Sequence, residues 1–110
     1  MPAFFVHDGA SIDHTPGSAV SAGDVVVQGE LVGVAKLDIA ANKLGALAVS
    51  GVFDFPKTAG GGTAIAMGAN VYWDNTNKVA TTTATGNKLI GKVVRAAVDA
   101  DTSVRVRMLQ

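Results

Sequence analysis

His7, Asp8, Asp13 and His14 crowd the start of the chain and carry the two side-chain types that ligate divalent metals most readily. Asp8-Gly9 between short apolar runs is a strong hairpin signal. With those two as loop residues, His7 pairs with Ala10, Phe5 with Ile12 and Ala3 with His14. The histidines are then about four residues apart along the ladder, roughly 10 Å or more. The four are read as polar residues of a hairpin, and no metal is assigned.

Other reactive patterns fail on chemistry. Gly60-Gly61-Gly62-Thr63 supplies the glycines of a phosphate cradle but no preceding Lys, and Lys57 comes too early. Ala48-Val49-Ser50-Gly51-Val52 comes nearest to a nucleophile elbow and lacks its first Gly. Glu30, the only glutamate, falls in a turn, which leaves little for paired-carboxylate hydrolysis. The chain has no cysteine, hence no thiolate chemistry and no disulfide. No catalytic residue, cofactor or metal ligand is assigned. The chain reads as a protein of contact, not an enzyme.

Tyr72-Trp73 is the one aromatic feature with a binding reading, because rings on a sheet face stack sugars or bases. Neighbours along a strand point to opposite faces, so one ring enters the core and the other looks outward. In a chain with only 5% aromatic residues, Trp73 is assigned as core anchor and Tyr72 as a rim residue. The alternative is a small β module recognising glycans or peptides through Tyr72 and the Gly60–Gly62 loop.

These residues must be positioned by strands. Short apolar runs punctuated by Gly turns recur at intervals of roughly 8–12 residues, and helix periodicity never persists beyond about two turns. Strands are expected at Phe4–His7, Ala10–His14, Val25–Val27, Leu31–Leu37, Val71–Trp73, Lys78–Thr82, Leu89–Arg95 and Ser103–Leu109. Ala46 to Phe55 is the longest candidate, with a phase change and a plausible bulge near Gly51. Thr63 to Met67 is either one helical turn or a short strand. In the last strand Val104, Val106 and Met108 face one way, and Arg105, Arg107 and Leu109 the other. The expected fold is all-β, a jellyroll-like sandwich or barrel of about 8–10 short, mostly antiparallel strands in a single domain, residues 1–110.

Composition fits a contact role. The 110 residues are 48% hydrophobic, mostly Ala and Val, so the core is thin and oligomerisation is expected to help. Nine basic and nine acidic residues balance, which disfavours phosphate neutralisation and hence nucleic-acid binding. The distribution is uneven: residues 1–60 carry six acids and three bases, residues 61–110 three acids and six bases. All three arginines, Arg95, Arg105 and Arg107, lie near the end. No apolar run reaches the ~18 residues of a membrane span. The first residues lack the basic region and apolar length of a signal peptide, so no membrane partner is expected.

Phe-Val-His-Asp-Gly at 5–9, Ser21-Ala22-Gly23-Asp24-Val25-Val26 and Gly51-Val52-Phe53-Asp54-Phe55-Pro56-Lys57 occur in an order that resembles one family. So do Val71-Tyr72-Trp73-Asp74, Thr81-Thr82-Thr83-Ala84-Thr85-Gly86-Asn87 and Leu89-Ile90-Gly91. The chain is similar, over roughly residues 3–109, to small tailed-phage capsid cement or head-decoration proteins, many of which carry a recombinase label. That label has no counterpart here, since the nucleotide loop it requires is missing. The resemblance implies a jellyroll-like β fold and no catalytic residues. It also implies a place outside the phage head, bridging capsomers, in some members as dimers on local two-fold axes.

The expected partner is therefore the major capsid protein, with a homo-oligomer (a dimer ahead of a trimer). The expected location is the virion exterior after synthesis in the host bacterial cytoplasm. Candidate contact residues are Phe4, Phe5 and His7 in the N-terminal segment and Arg105 and Arg107 on the last strand, both expected on edge elements.

Overall fold

The computed structural model describes residues 2–5 and 9–109. Among these there is no helix, and nine strands carry the fold. They are β1 (Ser11–His14), β2 (Val25–Gln28), β3 (Leu31–Ala35), β4 (Gly45–Ala48) and β5 (Gly51–Pro56), then β6 (Asn70–Asp74), β7 (Val79–Thr81), β8 (Lys88–Arg95) and β9 (Ser103–Met108). The first four form one sheet in the order β1-β4-β3-β2; the remaining five form a second in the order β5-β9-β8-β6-β7. Every ladder is antiparallel. The sheets pack as a sandwich, the first of the two expected architectures, and each is contiguous in sequence. The second sheet curls until its two edges meet in a single parallel bridge, Lys57 to Ala80, without closing into a barrel.

Alternation builds both faces. β2 and β3 pair from Val25–Val34 to Gln28–Leu31, leaving Gly29-Glu30 as a two-residue turn. β3 is buried on both sides, and the two sides feed different clusters. Val32 and Val34 join the main core with Phe55, Val71, Trp73, Ile90, Val93, Val104, Val106 and Met108. Ala35 turns the other way and packs with Ile39 and Leu47 against Ile12, Val20 and Val26. The first sheet is curved enough that Gln28 Nε2 on one edge strand donates to His14 Nδ1 on the other.

The run from Ala46 to Phe55 is two strands, not one with a bulge. β4 ends at Ala48 in the first sheet and β5 begins at Gly51 in the second. Gly51 has φ +113°, a conformation open to glycine and strained for other residues, and there the chain crosses between layers. The phase change in the sequence is thus a change of sheet. The expected N-terminal hairpin is also replaced. Ile12 lies opposite Leu47 on β4, and residues 2–5 form no strand; His7 and Asp8 lie outside the described residues. Joining β4 buries Ile12 against Leu47, whereas a lone two-stranded ribbon has no core to cover.

At Thr63–Met67 the short-strand option holds in its smallest form, a bridge between Ile65 and Ala97. Trp73 is 3% exposed and lies 6.1 Å from Phe55, ring to ring, at 60°. Tyr72, one residue earlier, is only half-buried on the other face.

Candidate interaction surfaces

β9 organises the outer face of the second sheet. Val104, Val106 and Met108 point inward, and Ser103, Arg105 and Arg107 point out. The strand is not at an edge, as the sequence reading had it. It is paired on both sides, with β5 and with β8, because its inward valines and methionine belong at the centre of the core. The arginines therefore rise from the middle of a sheet face.

Register fixes their neighbours. Arg105 stands opposite Asp54 on β5 and Arg95 on β8; Arg107 stands opposite Val52 and Lys92. Arg105 Nε donates to Asp54 Oδ1 at 2.9 Å and its terminal nitrogen to Oδ2 at 3.2 Å, a forked pair. This hydrogen bonding holds the Asp54 carboxyl below its ordinary range, against a small burial effect, with further help from the charges of Arg105 and Arg95. The Arg105 guanidinium is raised in turn by Asp54. Lys92 Nζ donates to Asn70 Oδ1 at 3.0 Å. Arg95 and Arg107 have no hydrogen-bonded carboxylate among the described residues. The sheet face thus presents four cations around Asp54, beside the half-exposed Val52 and a shallow depression of about 420 Å3 lined by Asp54, Arg95, Asp101, Ser103 and Arg105.

Among the described residues, most carboxylates elsewhere accept backbone amides of turns and loops. Asp24 accepts from the Ser21 amide, Asp38 from Ala22, Asp99 from Ala64 and Asp101 from Val98. Asp74 is lowered chiefly by the Asn77 side-chain amide, then by the Asn77 backbone amide. Glu30, on the β2–β3 turn, pairs across the sheets with Lys88 at 2.6 Å. Asp54 and Asp101 line the same depression, but each is already engaged and they do not form an acid–base couple. No group of three His, Cys, Asp or Glu residues converges among the described residues.

The Gly60–Gly62 loop is held, not free. Lys57, only 5% exposed, sends Nζ to Thr58 O at 2.9 Å, Thr63 Oγ1 at 3.0 Å and Asp101 O at 3.1 Å. A cavity of about 340 Å3 beside this loop is lined by Lys57, Gly62, Thr63, Asp74 and Asn77, and not by Tyr72. Tyr72 stands instead opposite Thr81 and Leu89. The loop and the ring of the glycan-module reading do not share a pocket.

Of the candidate contact residues, Arg105 and Arg107 share the cationic face. Phe4 and Phe5 are 74% and 84% exposed on a segment outside any strand, and His7 lies outside the described residues. Val52, Lys92 and Arg95 complete the face; the sequence marks Arg95 only as one of three late arginines and names neither Val52 nor Lys92 as a contact. Outward alternation marks Lys92 on its own strand, but only the ladder places it beside Arg107. No helix of the described residues is long and apolar enough to cross a membrane.

The family described as phage cement protein matches residues 6–108, nearly the whole chain. No curated protein and no solved structure matches it. This match supports a structural, capsid-associated role, and the chain belongs to the phage cement protein family.

Proposed function

We propose that the protein binds the outer surface of an assembled phage head and cross-links neighbouring major capsid subunits. The observation that carries this is the cationic face of the second sheet, where Arg95, Arg105, Arg107 and Lys92 cluster on strands flanking Asp54. Such a face meets an acidic patch with complementary potential, which steers docking and fixes orientation. Single exposed ion pairs are weak, so retention comes from many copies each touching more than one subunit. The balanced net charge lets copies pack densely without mutual repulsion.

In this reading the protein is made in the host cytoplasm, performs no turnover and acts as a homo-oligomer, a dimer in the first instance. Electron microscopy of undecorated heads mixed with purified protein tests it. Ordered density on the outer shell, bridging adjacent subunits with the β5-β9-β8 face turned inward, is expected. Density confined to the interior, or none at saturating protein, would sink the proposal.

A further inference from the structure

Two unsatisfied apolar features lie on the same chain. Phe4 and Phe5, in the N-terminal arm, are 74% and 84% exposed. The β3–β4 connection carries Leu37 and Leu44, 78% and 70% exposed, at the mouth of a groove of about 540 Å3 that Ile39, Ala46 and Ala48 also line. The groove is preformed. Ile39 is bonded to Val20 in both directions at 2.8 and 2.9 Å, and the Asn42 amide donates to Pro16 O at 2.7 Å. Gly45 lets the Ile39 side chain lie so close that a Cβ there would stand 2.6 Å from it.

We propose that the arm of one copy seats Phe4 and Phe5 in the β3–β4 groove of a second copy. The occupant follows from chemistry on both sides. Residues 2–5, Pro-Ala-Phe-Phe, are uncharged and apolar, the groove is mostly apolar, and the arm leaves its own groove open. Two phenyl rings bury about 150–250 Å2 each, well under the roughly 1,200 Å2 of a self-sufficient interface. An arm therefore links copies already held side by side, where effective concentrations reach the millimolar range. The contact lies in the first sheet, separate from the cationic face, and at millimolar protein it can be tested without shells.

The native chain has no cysteine, so introduced thiols report single contacts. Full-length Phe5→Cys and Leu44→Cys variants, carrying tags of different size, are mixed at millimolar concentration under mild air oxidation. Trp73 fluorescence confirms that each stays folded. The heterodimeric disulfide should form at least roughly tenfold faster than between Phe5→Cys and Val98→Cys, an exposed control site away from the groove. Adding Phe4→Ser to the Phe5→Cys chain should cut that excess. Equal rates with the control overturn the proposal, as does no effect of Phe4→Ser. So does a double variant that closes on itself as a monomer while the mixed single variants stay unlinked.

Discussion

Gly91 on β8 lies against the backbone of Arg107 on β9 so tightly that a Cβ at Gly91 would stand 2.0 Å from the Arg107 carbonyl oxygen. The same atom would be 2.7 Å from the Leu109 amide nitrogen. Backbone on the far side cannot rotate away as a side chain can. The closeness brings β8 and β9 together where Lys92 and Arg107 share the outer face. Gly91→Ala should therefore destabilise the fold by about 3 kcal/mol or more, at the upper end of overpacking costs. Urea unfolding followed through Trp73 fluorescence measures it; a loss under about 0.5 kcal/mol would contradict the close approach.

Lys57 tests how the glycine loop is held. Lys57→Met keeps much of the buried stem but removes the three donors to Thr58 O, Thr63 Oγ1 and Asp101 O. Partly unsatisfied acceptors cost about 1–3 kcal/mol. Amide exchange should speed up in residues 58–64 and 99–102 and stay unchanged in β2 and β3. Uniform acceleration throughout would mean that Lys57 supports the whole fold and not this corner.

Asp54 gives a pH signature. Its carboxyl is depressed by Arg105, so its contribution is fully present above the unfolded value of about 3.9 and is lost as pH falls through the folded value. Both partners are exposed, so the effect is small and screened by salt. Asp54→Asn should be slightly less stable than the parent at neutral pH, and the gap should vanish by about pH 2. Unfolding midpoints at the two pH values report it, and a gap that widens in acid would reverse the sign.

Charge changes on the cationic face should move shell binding in opposite directions. Arg107→Ser removes a cation with no carboxylate partner among the described residues, and binding to heads should weaken about 1.5- to 5-fold per contact. Asp54→Asn removes the carboxylate paired with Arg105 and should strengthen binding. Both effects should shrink as salt rises. Co-sedimentation with heads measures them; equal occupancy for parent and both variants would remove this face from the interface.

Much of this protein was legible in local alternation. The period-2 pattern from Ser103 to Leu109 places Val104, Val106 and Met108 inside and the arginines outside, because successive side chains leave a strand on opposite faces. The same rule separates Trp73 from Tyr72, and Gly29-Glu30 between two valine-rich runs marks the β2–β3 hairpin. The ordered motifs across the chain carried the family, and the lack of a nucleophile, base or metal set shaped the contact reading.

Which strands become neighbours was decided only by tertiary structure. Ile12 has a local partner available in Phe5, yet it pairs with Leu47, where a buried apolar face rewards the ladder. Gly51 reads locally as a bulge and is in fact the crossing between two sheets. Arg107 looks like an edge cation until β5 and β8 flank it, and Lys57 looks like a solvated lysine until three oxygens converge on it. Alternation is a property of a few adjacent residues, whereas pairing depends on apolar area buried between segments far apart in the chain. The first can be read from the residue string; the second exists only once both sheets have closed over the same core.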